Sequence, residues 1–104
     1  MIGNAVRTAW RRLRTPPDPR GLQFEALYAD LSEPARIALW YFCDSSMLPH
    51  VLAARLRDAR LSVDVDAIIR ELSDADLIDH DFAGNRYIKP EWAAYVRTAM
   101  RRRR

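Results

Sequence analysis

Apolar and polar positions alternate along the chain in a way that predicts helices first and one short hairpin last. In residues 2–14, Ile2, Val6, Ala9, Trp10 and Leu13 recur at helical spacing, with Arg7, Arg11, Arg12 and Arg14 mostly opposite. "TPPDPRG" (15–21) reads as a stiff break that no helix crosses. A short helix should follow with Leu22, Leu27, Tyr28 and Leu31 inward. Ser32 has the character of an N-cap, with Glu33 and Pro34 in the first turn of the nearly all-apolar "ARIALWYFC".

Pro49 then opens "PHVLAARLR", whose Val51, Leu52 and Leu56 point inward, and "DARLS" makes a turn. The next helix buries Val65, Ile68, Ile69 and Leu72, after which Leu77 and Ile78 enter an extended segment. "DFAGNRYIKP" reads as a β-hairpin, with Gly84 and Asn85 able to take positive φ at the turn. Pro90 ends the strand and starts a last helix, striped by Trp92, Tyr95, Val96 and Ala99, before the tail "RRRR". No internal repeat is visible. The expected fold is mainly α with a small β-hairpin. It divides into a basic helix and Pro-rich linker (1–20), a domain (21–100) and a basic tail (101–104).

From residue 32 to 90 the order resembles a winged helix-turn-helix domain of the kind found in MarR-like and ArsR-like bacterial regulators. "LAARL" (52–56), "IIRELSDADLI" (68–78) and "IDHDFAGNRYI" (78–88) carry the resemblance. Two features depart from it. Asp76 stands where the family commonly has glycine, and Asp takes a left-handed conformation less freely. The turn after Leu56 is also about two residues longer than the common form.

A length of 104 residues suits one domain with one core, and 30% charged residues is ordinary for a folded protein. No apolar run approaches the roughly 20 residues of a membrane span. The expected setting is therefore cytoplasmic, with no membrane partner. The net charge of +3 is unevenly spread: residues 1–20 carry +4, residues 21–96 carry −6 and residues 97–104 carry +5. The segment "VDVDAIIRELSDADLIDHD" (63–81) alone holds seven acids against one base, Arg70. An acidic patch thus lies between two basic ends.

Nothing in the chain predicts an enzyme. His50 and His80 are the only histidines and no nucleophile motif accompanies them. In "DHD" (79–81) a strand would put Asp79 and Asp81 on one face and His80 on the other, so no metal site is expected there. The lone Cys43 cannot form an internal disulfide and fits a reducing compartment. With three glycines in all, there is no phosphate-cradling loop and no cofactor is expected.

Two functions remain open. In the first, the resemblance implies a small bacterial or phage homodimeric transcriptional regulator that binds double-stranded DNA. Its grip would come from Arg55, Arg57 and Arg60, from Arg86 and Lys89 on the hairpin, and from Arg101 and Arg102. Arg70 would be the sole base reader, with Asp66 and Asp74 at i−4 and i+4 able to hold it back. Terminal helices would form the dimer through Ile2, Val6, Trp10, Leu13, Trp92, Tyr95 and Val96. In the second, the domain is a protein-interaction module whose acidic face, including Asp64, Asp66 and Asp74, docks on a basic partner.

Overall fold

A computed structural model describes residues 18–102. These residues form five helices and a two-stranded antiparallel sheet. In chain order they are α1 (Pro19–Asp30), α2 (Glu33–Asp44), α3 (Pro49–Asp58), α4 (Val65–Asp74), β1 (Ile78–His80), β2 (Arg86–Ile88) and α5 (Pro90–Arg102).

Two predicted boundaries shift. The break expected over 15–21 reaches only to Asp18, because Asp18 caps α1 by accepting from the Arg20 amide at 3.2 Å. Pro19 then fills the first helical position, where its missing N–H costs nothing. At the other end Arg101 and Arg102 belong to α5 rather than to a tail. The inward face of α1 also differs from expectation. Phe24 is buried while Leu22 is 53% exposed, since two residues along a helix turn a side chain to the opposite side.

The central helix α2 packs against α3, α4, α5 and β2. Its start is secured as predicted by Ser32, whose Oγ accepts from the Ala35 amide at 3.3 Å. The second half of the cap comes from a distant helix. Glu71 of α4 accepts from the Ser32 amide at 2.7 Å and from its hydroxyl at 2.8 Å. This is a capping box assembled across 39 residues, and it puts a carboxylate at the positive end of α2.

α3 and α4 end in the same way. Arg60 and Asp76 both have φ of 62°. After α3, the Arg60 amide donates to Arg57 O at 2.9 Å and the Leu61 amide to Leu56 O at 2.9 Å. After α4, the Asp76 amide donates to Ser73 O at 3.0 Å and the Leu77 amide to Leu72 O at 3.1 Å. Both are Schellman closures, with a left-handed residue where glycine is usual. Asp76 thus adopts the conformation for which the resembling family uses glycine. The sequence carries the same six-residue pattern at both places, Leu-x-Asp-Ala-x-Leu, at 56–61 and 72–77. The chain therefore does contain a short internal echo.

β1 and β2 pair with Ile78 opposite Ile88, Asp79 opposite Tyr87 and His80 opposite Arg86. Met47, between α2 and α3, forms an isolated bridge to Arg86: its amide donates to Arg86 O at 3.1 Å, and the Arg86 amide to Met47 O at 2.7 Å. Of the predicted turn residues, Gly84 takes positive φ (90°) and Asn85 does not. Leu39, Leu52, Leu56, Leu72, Leu77 and Val96 are wholly buried where these elements meet. Each such side chain contributes roughly 1.5–3 kcal/mol by burial.

Candidate interaction surface

α4 contacts β1, and the carboxylates of residues 64–81, on α4, the turn after it and the hairpin, divide into two groups. Several are occupied locally. Asp64 caps α4, accepting from the amides of Asp66 at 3.0 Å and Ala67 at 3.4 Å. Glu71 caps α2, as described above. Asp76 pairs with the Lys89 ammonium, and this hydrogen bond is the main cause that holds the Lys89 pKa above its ordinary value. Asp79 accepts from the His80 amide at 2.8 Å. Asp66 and Asp74 accept no side-chain hydrogen bond and make no ion pair among the described residues. Much of the acidity that stands out in the sequence is therefore helix capping and turn construction.

Asp81 organises the hairpin loop. Its Oδ1 accepts from the amides of Ala83 at 3.0 Å and Asn85 at 2.9 Å, and its Oδ2 from Asn85 Nδ2 at 3.1 Å. The Asn85 side chain, followed by these amides, holds the Asp81 carboxyl below the usual aspartate range. Backbone bonds from Gly84 to Asp81 O at 3.1 Å and from Asp81 to Asn85 O at 3.0 Å close the loop. The residue it presents is Phe82, whose side chain is fully exposed. A large apolar ring on a loop this well bonded is an ordered projection.

The predicted DNA contacts are scattered by the same geometry. Lys89 is engaged with Asp76 and only 25% exposed. Arg86 is half-buried and folds back, donating from Nη1 to Gly84 O at 2.6 Å. Lys89 is thus paired within the chain, whereas Arg86 is tied to a neutral carbonyl and keeps its charge. Arg55 lies 6.0 Å from the Tyr41 ring centre. Arg102 pairs with Glu25 at 3.3 Å, on the α1–α5 side, and Arg101 lies in a shallow cleft with Cys43, Asp44, Arg97 and Met100. Arg57 and Arg60 are exposed and make no ion pair among the described residues. Both line a cleft at the turn between α3 and α4, with Leu61, Val63 and Val65. Arg70 is likewise exposed and forms neither of the ion pairs expected with Asp66 and Asp74.

The surface of α4 and the hairpin thus shows six exposed aspartates, Asp64, Asp66, Asp74, Asp76, Asp79 and Asp81, of which Asp76 is paired with Lys89, against the unpaired Arg70. Among the described residues, no three of His, Cys, Asp and Glu converge as a metal site.

The predicted dimer residues separate. Trp92 is 5% and Val96 0% exposed within the chain itself, so neither has side-chain surface left for a second copy. Trp92 also donates from Nε1 to Asp76 O at 3.1 Å, which ties α5 to the turn after α4. Tyr95 is half-buried, with its hydroxyl on the Asp18 carboxylate. Ile2, Val6, Trp10 and Leu13 lie outside the described residues.

Phe82 was missed by sequence reasoning, which assigned its segment to a turn. The available signal was a Phe with no apolar partner at hairpin spacing, set between Asp81 and Ala83.

The described residues form a mainly helical fold with one small antiparallel sheet. No described helix is long and apolar enough to cross a membrane. No protein-family profile, no curated protein and no solved structure matches the chain.

Proposed function

We propose that the chain is a winged helix-turn-helix domain that docks on another protein through α4 and its hairpin. The winged-helix reading is supported by the order of α2, the Met47 bridge, α3, the turn, α4 and the hairpin, and by the resemblance of residues 32–90. One observation carries the docking reading: Phe82 projects, fully exposed, from a tightly bonded hairpin loop next to Asp81, while the neighbouring Lys89 is paired with Asp76. Aromatic side chains held rigidly at a surface are the usual anchors of protein interfaces. The surrounding negative charge repels phosphate and selects a partner whose apolar pocket has a basic border.

A second reading, a DNA-binding regulator, is favoured by the unpaired Arg57, Arg60 and Arg70. Its grip would lie on the turn between α3 and α4 rather than on the hairpin, and a homodimer would double it.

Fluorescence anisotropy with duplex DNA separates the two. The docking reading expects no saturable binding by the wild-type chain near physiological salt, about 0.15 M. It also expects duplex affinity to rise when Asp66→Asn and Asp74→Asn relieve the repulsion. Tight wild-type binding that falls steeply with salt would overturn docking in favour of the regulator.

A further inference from the structure

The turn that joins α3 to α4 surrounds an open cleft of about 380 Å³. Burial alternates from Leu61 to Val65, so Leu61, Val63 and Val65 share one side, as in a strand. These three half-buried side chains form the apolar wall of the cleft, together with the buried Leu56. Arg57 and Arg60 border it. Both are exposed, and neither makes an ion pair among the described residues. Among the described residues no carboxylate lines the cleft.

The hairpin loop has the opposite chemistry. Phe82 is fully exposed, beside the exposed Asp81, whose carboxylate accepts from the amides of Ala83 and Asn85. Asp79 is exposed on β1. The cation nearest the loop, Arg86, is half-buried and bonded to Gly84 O.

We infer that the cleft of one chain receives Phe82 of a second copy, with Arg57 and Arg60 facing Asp81 and Asp79 across the contact. The inference rests on docking through Phe82 and names the partner. Size and charge both carry it. An apolar cavity of roughly 150 Å³ holds a benzene ring, so the cleft has room for the Phe82 side chain and the edge of its loop. The two arginines, unpaired in the single chain, meet carboxylates that stay at the solvent-exposed rim. Phe82 does not fill the cleft of its own chain, because it is fully exposed there.

Loop and cleft are different surfaces of one chain, so the contact is heterologous. Each added copy leaves one loop and one cleft unfilled, and growth runs head to tail unless a ring closes. One loop tip is small beside the roughly 1,000 Å² of a stable interface, so each junction is weak and sensitive to salt.

Sedimentation of the purified full-length chain tests the pairing. The average mass of the wild type should rise with concentration and fall back with added salt. Phe82→Ala removes the inserted ring. Arg57→Glu with Arg60→Asp reverses the border of the cleft, and Asp76 already closes the equivalent turn with the same backbone conformation. Each variant alone should stay monomeric. An equal mixture of the two should form a dimer and nothing larger, because one working junction remains. A wild-type chain that is monomeric up to about 1 mM would overturn the inference. Association that either variant leaves unchanged, or a mixture that stays monomeric, would overturn it too. In cells, a photoreactive analogue at position 82 should give an adduct of twice the chain mass. Capture of a different protein by a chain that is monomeric when purified would overturn the second copy and leave docking through Phe82 intact. Capture of no protein would overturn both.

Discussion

Leu56-Arg57-Asp58-Ala59-Arg60-Leu61 ends α3, and Leu72-Ser73-Asp74-Ala75-Asp76-Leu77 ends α4, each with a left-handed residue in fifth place. The backbone hydrogen bonds that close the two turns are equivalent, and their surroundings differ. Arg60 points its charge into solvent and, with Arg57, leaves two free cations beside an apolar cleft. Asp76 takes up Lys89 with its carboxylate, and its carbonyl takes Trp92 Nε1. The first turn is therefore a place where charge is offered; the second is a joint that fastens β2 and α5 to α4. Two equal turns with opposite fifth residues thus differ in what the charge does: Arg60 stays unpaired among the described residues, and Asp76 neutralises Lys89.

Cutting the hydrophobic end of each closure separates the two turns most strongly. Leu77 is wholly buried whereas Leu61 is half-buried. Leu77→Ala should cost about 3 kcal/mol and Leu61→Ala about 1 kcal/mol in urea unfolding. Equal losses would mean that the second turn is not the structural joint.

A smaller effect sharpens the role of the fifth residue. Arg60→Gly removes the left-handed penalty and breaks no ion pair among the described residues, so the relief outweighs glycine's added unfolded-state entropy and it should stabilise by about 0.5–1 kcal/mol. Asp76→Gly gains the same relief but releases Lys89, and should stabilise less than Arg60→Gly or destabilise. A larger gain at Asp76 would show that its bond to Lys89 contributes nothing.

The smallest effect is local to the hairpin loop. Asp81 has a depressed pKa in the folded chain, so its contribution is fully present above the ordinary aspartate value. It is lost as pH falls through the lower folded value. Acidification below about pH 4 should loosen the Ala83 and Asn85 amides in NMR spectra before the core unfolds. Asn85→Ala removes the largest cause of the depression and should move that loosening to higher pH. An unchanged titration would contradict the bracket that Asp81 forms.

Much of the helical order was legible from periodicity and capping residues. Ser32, the apolar run after it, and Pro49 and Pro90 at helix starts all act locally, and local signals survive without tertiary context. What was not legible depends on distant partners. Glu71 looks like one more surface acid until Ser32, 39 residues away, is placed beside it. Lys89 and Arg86 look like free hairpin cations until Asp76 and Gly84 O are found to hold them. Trp92 and Val96 stripe a helix whether they face a second copy or their own core, and periodicity cannot tell which. "DPRG" was read as a break because Pro and Gly interrupt helices. Next to an Asp cap, the same Pro starts one.

In the proposed docking role, Phe82 anchors a protein partner. A photoreactive phenylalanine analogue at position 82 tests it most directly, by cross-linking in cells that express the full chain. Docking through Phe82 should give an adduct that protease destroys and nuclease leaves intact, and that weakens when Asp66 and Asp74 become Asn. An adduct shortened by nuclease, or no adduct at all, would contradict it.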